Sequence, residues 1–163
     1  MREPGLSLAA ATAEDMRLLG ARLAAALCGA DLVEPFVLGL SGDLGAGKTT
    51  LVGGLLAALG HEGPVRSPTY SLIEPYRLAG RDVYHSDLYR LRDPLELEDL
   101  GVRDLLTGRS LLLVEWPERA GDRLRAADLT LQLEYSAEGR TVSVRPGSDA
   151  GRRVAASLVL DRA

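Results

Sequence analysis

The chain has 163 residues, 26% of them charged, and a formal net charge of −4. A chain of that length buries roughly 70% of its unfolded surface, so one domain over residues 1–163 is expected. The acidic balance argues against a broad basic surface that grips nucleic acid directly, and the lack of any run of about 20 apolar residues argues against a membrane span.

With 46% hydrophobic but only 4% aromatic residues, the core must be mostly Leu, Val and Ala. The single cysteine, Cys28, excludes an internal disulfide and suits a reducing compartment; its expected role is helix packing. The N-terminus, MREPGLSLAAATAEDM, has no long apolar stretch before its acidic residues and makes a poor signal peptide, so a cytoplasmic protein is expected.

A short apolar segment, Leu6 to Ala11, precedes Thr12, whose spacing to Asp15 predicts a helix N-cap with an approximate capping box. EDMRLLGARLAAAL then carries helical periodicity. PFVLGLSG reads as a buried strand, and KTTLVGGLLAALG as a helix stopped at Gly60. Residues 60–71, GHEGPVRSPTYS, predict a loop. Alternation on both sides of AGR predicts a hairpin ending at Asp87, and PLELEDLGVRDLL one or two short helices. SLLLVEW predicts a buried strand ending in Glu115. DLTLQLEYSAEGRTVSVRP predicts a second hairpin, and a last helix is expected from about Gly151 to Leu160. The mixture predicts an α/β fold with antiparallel additions.

Between the PFVLGLSG strand and the helix after it stands GDLGAGKTT, Gly42 to Thr50, which holds the only lysine in the chain. It matches G-x-x-x-x-G-K-[ST] in the strand-loop-helix setting that motif needs, and predicts a P-loop. Gly42, Gly45 and Gly47 let the backbone turn successive N–H groups inward beside a helix N-terminus, with Asp43, Leu44 and Ala46 completing the loop. Lys48 would reach the β- and γ-phosphates as a compact point charge, which arginine's planar fork does not imitate. Thr49 would offer its hydroxyl to Mg²⁺, and Thr50 a bond to a phosphate oxygen.

Such a loop needs an acid at the end of a buried strand. Glu115, after four apolar residues, is assigned to the magnesium shell; Asp87 is assigned to the attacking water or to a second metal contact, and the two roles are exchangeable. His85 shares a strand face with Asp87 and is as readily a buried, hydrogen-bonded histidine as a catalytic one. Trp116 is either nucleotide-proximal or a core or interface anchor. Ser67, Pro68, Thr69 and Tyr70 lie where a switch that senses γ-phosphate is often found. Tyr89, Arg90 and Arg92 fall on a segment expected to be exposed.

The chain contains no asparagine and no second lysine, so it lacks the Asn-Lys-x-Asp element of Ras-type guanine readers and the catalytic-loop Asn of protein kinases. A small P-loop kinase, with Arg90, Arg92 and Arg103 clamping an acceptor, and an ATP-sensing binding module remain as alternatives to an ATPase.

SGDLGAGKTT, SPTYSLIEPY, VYHSDLYRL and LLLVEWPE, in this order, resemble the bacterial TsaE proteins, small ATPases of tRNA threonylcarbamoyladenosine biosynthesis. The resemblance covers roughly Thr12 to Arg145 and rests on the four blocks together, since the first alone is generic. It implies a P-loop NTPase fold with a mixed, mostly parallel sheet, ATP/ADP and Mg²⁺ as cofactors, and weak hydrolysis stimulated by partners. The partner it implies is a TsaB–TsaD heterodimer, through which tRNA is met only indirectly. By position it implies the phosphate loop at Gly42 to Thr50, magnesium ligands at Thr49 and Glu115, a further essential acid at Asp87, a switch-like loop at Ser67 to Tyr70 and a nucleotide-proximal Trp116. Thr12 and the hairpin around Arg140 would close the adenine side.

Overall fold

The computed structural model describes residues 5–68 and 72–160. In chain order these form β1 (Leu6–Ala10), α1 (Ala13–Gly29), β2 (Phe36–Gly42), α2 (Lys48–Ala58), β3 (Ile73–Leu78) and β4 (Arg81–Asp87). They continue with α3 (Glu96–Asp99), α4 (Val102–Leu105), β5 (Leu111–Glu115), a 3₁₀ turn (Pro117–Ala120), β6 (Leu129–Ser136), β7 (Gly139–Pro146) and α5 (Asp149–Leu160).

All seven strands join one sheet in the order β1-β7-β6-β2-β5-β4-β3. The pairs β6·β2, β2·β5 and β5·β4 are parallel, and the outer pairs β1·β7, β7·β6 and β4·β3 antiparallel. Five strands therefore run one way and only β3 and β7 run against them. The central strands β2 and β5 are continuous apolar runs, FVLGL and LLLV, because helices or turns cover both faces. One core gathers Leu38, Leu40, Leu111 and Leu113 with Leu23 and Leu27 of α1, Leu51 and Leu55 of α2, and Val154 and Leu158 of α5. The other face, with Val37, Leu112 and Val114, meets Leu88, Leu97, Val102 and Ala120 around α3, α4 and the 3₁₀ turn.

The Thr12 cap is present: its side chain accepts from Asp15 N at 3.1 Å while the Asp15 carboxylate accepts from Thr12 N at 3.1 Å. α1 crosses α2 with backbones nearly touching. A Cβ on Gly54 would lie 2.1 Å from Arg17 O, and one on Gly20 2.2 Å from Leu51 O. Only glycine permits that approach, and it fixes where the first turn of α2 sits.

Two expectations need correction. Leu6–Ala10 is a true strand, not merely an apolar segment: it pairs with β7 and buries Leu8 and Ala10 while exposing Ser7 and Ala9. Cys28 is exposed on α1, not packed in the core. No described helix is long and apolar enough to cross a membrane.

Candidate functional site

Parallel strands end on one edge, and here the register sets Leu40 of β2 beside Glu115 of β5 and Asp87 of β4 beside the same Glu115. Residues 75 positions apart in the sequence thus reach one crevice, at the carboxyl ends of the strands where α/β sheets hold ligands. The crevice is a cavity of about 450 Å³ whose lining includes Gly45, Lys48, Thr49, Asp87, Glu115 and Trp116.

The glycine loop runs from the end of β2 into α2. Gly42, Gly45 and Gly47 all take positive φ, and Gly47, at φ 109°, is the N-cap of a helix that has no side-chain cap. The first N–H groups of α2 therefore stay available to an anion. Asp43 and Leu44 are exposed, Leu44 at 67%, and Ala46 is fully buried as the loop's anchor. The β6–β7 hairpin braces the loop from outside: Arg140 donates from Nε to Ala46 O at 3.2 Å and from Nη2 to Gly45 O at 3.4 Å. Tyr135 donates its hydroxyl to Leu44 O at 3.2 Å, and the Arg140 guanidinium lies 4.1 Å from the Tyr135 ring.

Lys48 Nζ donates to Gly42 O at 2.5 Å and Asp43 O at 2.9 Å, and sits 4.3 Å from the centre of the Trp116 ring. Burial pushes the Lys48 pKa below its ordinary value near 10.5, and the negative charges of Glu115, Asp87, Glu118 and Asp43 only partly offset this. Trp116 holds a left-handed backbone, φ 60° and ψ 49°, at the exit of β5, a conformation unfavourable for a bulky residue. Its ring packs beside Tyr89 at 5.2 Å, with the Arg119 guanidinium near both rings.

On the acid side, Thr49 Oγ1 lies 2.8 Å from Glu115 Oε1 and 3.0 Å from Oε2. The Glu115 carboxylate is 2% exposed, and its Oε2 also lies 2.6 Å from His85 Nε2. Asp87 accepts from the Ser67 hydroxyl at Oδ2 and from Tyr89 N at Oδ1, 3.0 Å away. Pro68, Tyr89 and Arg90 line the same cavity. Thr69 and Tyr70 lie outside the described residues.

The donor chemistry suits magnesium. A hydroxyl and a carboxylate side by side are hard oxygen ligands, and among the described residues no group of three His, Cys, Asp or Glu is placed to hold a metal by itself. Mg²⁺ takes few protein ligands and fills its shell with water and phosphate oxygens.

A family model described as "Threonylcarbamoyl adenosine biosynthesis protein TsaE" matches residues 10–142. The chain belongs to the TsaE family. It is 45% identical over 115 residues to the tRNA threonylcarbamoyladenosine biosynthesis protein TsaE of Haemophilus influenzae, covering 71% of this chain and 73% of that protein. It is 41% identical over 133 residues to the Streptomyces coelicolor protein of the same name, covering 80% and 86%. A crystal structure of Bacillus subtilis YdiB shares the fold, with a TM-score of 0.77 over 99% of this chain and all of that one at 23% identity.

Within this TsaE chain, the structure brings the phosphate loop, Asp87, Glu115, Trp116, Ser67, Pro68, Tyr89 and Arg90 to one place, with His85 directly behind Glu115. Thr12 and Arg140 do not line the cavity: the Thr12 hydroxyl is committed to its helix cap, and Arg140 to loop carbonyls. Sequence reasoning missed Tyr135 as a brace, Arg119 beside the aromatic pair, and Glu118, which accepts from Ser41 Oγ at 3.0 Å. Only Glu118 carried a signal, as a second carboxylate shortly after the strand-end acid.

Proposed function

We propose that the chain is a Mg²⁺-dependent ATP-binding and hydrolysing protein of tRNA threonylcarbamoyladenosine biosynthesis that acts on, or regulates, a TsaB–TsaD type transferase. The observation that carries the ATP part is the convergence of Lys48, Thr49 and Glu115 on one cavity at the end of β2 and β5. Family membership and the role its relatives are named for support the pathway.

In this reading the α2 N-terminus and the loop amides hold the β- and γ-phosphates, and Lys48 leaves its loop carbonyls to neutralise charge that builds on them. Thr49 and Glu115 would hold the cation, which supplies further neutralisation at the phosphate oxygens. Asp87 orients the attacking water in line with the γ-phosphate, and either acid can exchange roles with the other. Tyr135 and Arg140 keep the loop in shape. The protein works in the cytoplasm and meets tRNA only through its partner.

The test is phosphate release from ATP, with and without the purified TsaB–TsaD pair, in wild type, Lys48→Ala and Glu115→Ala. Partner-stimulated release that both substitutions abolish supports the proposal. Release unchanged by partners removes its mechanism, transfer to an organic acceptor points to a kinase, and binding without turnover points to an ATP sensor.

A further inference from the structure

His85 is fully buried on β4, and its Nε2 lies 2.6 Å from Oε2 of an equally buried Glu115. An ionised carboxylate only accepts, so the ring nitrogen facing it carries the hydrogen and donates. The other ring nitrogen, Nδ1, is buried with no hydrogen-bond partner. A bare acceptor nitrogen tolerates that position better than a second N–H, whose lost hydration nothing would replace. The contacts therefore select the Nε2–H tautomer.

The same carboxylate is held from a second direction. Thr49 Oγ1, on the first turn of α2, is nearer to Oε1 at 2.8 Å than to Oε2 at 3.0 Å. His85 takes up Oε2, which leaves Oε1, beside the Thr49 hydroxyl, as the oxygen with lone pairs to spare. A glutamate side chain loses rotamer freedom when it is fixed. A buried donor behind it makes that loss a property of the fold instead of a cost met at each binding event.

We propose that His85 is the positioning residue of the cation site: by holding Oε2 it presents Glu115 Oε1, next to Thr49 Oγ1, to the divalent ion that accompanies the nucleotide. The proposal rests on the Mg²⁺–ATP reading above. Outer partners of this kind typically contribute 10–100-fold to metal affinity, and a histidine that merely filled the core would contribute to stability alone.

The experiment is a Mg²⁺ titration of the binding of a non-hydrolysable ATP analogue, compared with binding in EDTA, for wild type, His85→Asn and His85→Gln. The Asn amide stands near the Nδ1 position and is too short to reach Glu115, whereas the Gln amide nitrogen comes close to Nε2. His85→Asn is expected to raise the half-saturating Mg²⁺ concentration roughly 10–100-fold while leaving affinity in EDTA unchanged, and His85→Gln to restore most of it. Equal Mg²⁺ dependence in all three proteins overturns the positioning role and leaves the ATP reading intact. Failure of the wild type to bind the analogue in either buffer overturns both. Should the substituted proteins not fold, ¹⁵N spectra of histidine-labelled wild type decide: an Nε2-protonated His85 is expected, and an Nδ1-protonated ring overturns the proposal.

Discussion

The two walls of the crevice are built in different ways. The phosphate-loop wall is contiguous backbone, nine residues from Gly42 to Thr50, shaped by three positive-φ glycines and braced by side chains that only touch its carbonyls. The acid wall is made of side chains from two strands, His85 and Asp87 of β4 and Glu115 of β5, with the Thr49 hydroxyl joining it to the loop. The first wall is a local conformation that a spacing rule describes. The second exists only through strand order and register, so its parts tolerate substitution differently.

That contrast can be broken at graded points. Of the three substitutions that follow, Asp87→Asn is expected to act most strongly, since it keeps the shape of the acid wall and removes a charge; hydrolysis should fall about 100-fold, as for loss of a water-orienting base, with nucleotide affinity unchanged in a titration. A parallel loss of affinity would place Asp87 in the metal shell. Next comes Gly54→Ala, which drives a Cβ against Arg17 O at 2.1 Å. Overpacking of this kind should lower stability by about 2 kcal/mol in urea denaturation, although alanine is the better helix former. An unchanged midpoint would show that α1 can move off α2. Arg140→Ala removes two hydrogen bonds to the loop, and nucleotide affinity should weaken about fivefold, corresponding to roughly 1 kcal/mol. The bracing role fails if calorimetry finds no change.

The smallest effect is a pH dependence. Lys48 titrates below 10.5 in the folded chain because of burial. Between its folded and unfolded values the unfolded chain keeps a proton that the folded chain releases, so stability rises with pH. Wild type should therefore gain stability relative to Lys48→Met in the window just below pH 10.5, as read by denaturation at several alkaline pH values. Wild type losing stability relative to Lys48→Met as pH rises would contradict the buried, partly desolvated lysine.

Much of this was legible because it is local. The capping box at Thr12, the hairpins around Gly80 and Gly139, and the strand-loop-helix at Lys48 each depend on neighbours a few residues away. What was not legible depends on distant partners. Leu6–Ala10 became a strand because β7 offered it an edge, and five residues with weak alternation do not announce that. Arg140 faces the phosphate loop across 94 positions of sequence, so its place near the site was suggested by family resemblance while its contact, with carbonyls of the loop itself, came from the structure. Thr12, which family resemblance puts on the adenine side, spends its hydroxyl on the start of α1. The glycines at 20 and 54 form the crossing that seats α2, and only the partner helix reveals why they must be glycine.

The central claim is that Lys48 and the acid pair form one magnesium–nucleotide site. Its most direct test is calorimetric titration of wild type and Lys48→Ala with ATP in the presence of Mg²⁺. Saturable binding at one site in wild type, weakened about 100-fold or more in the variant as expected when a charge-stabilising contact is lost, is the predicted result. Equal binding by both proteins, or none by wild type, would contradict it.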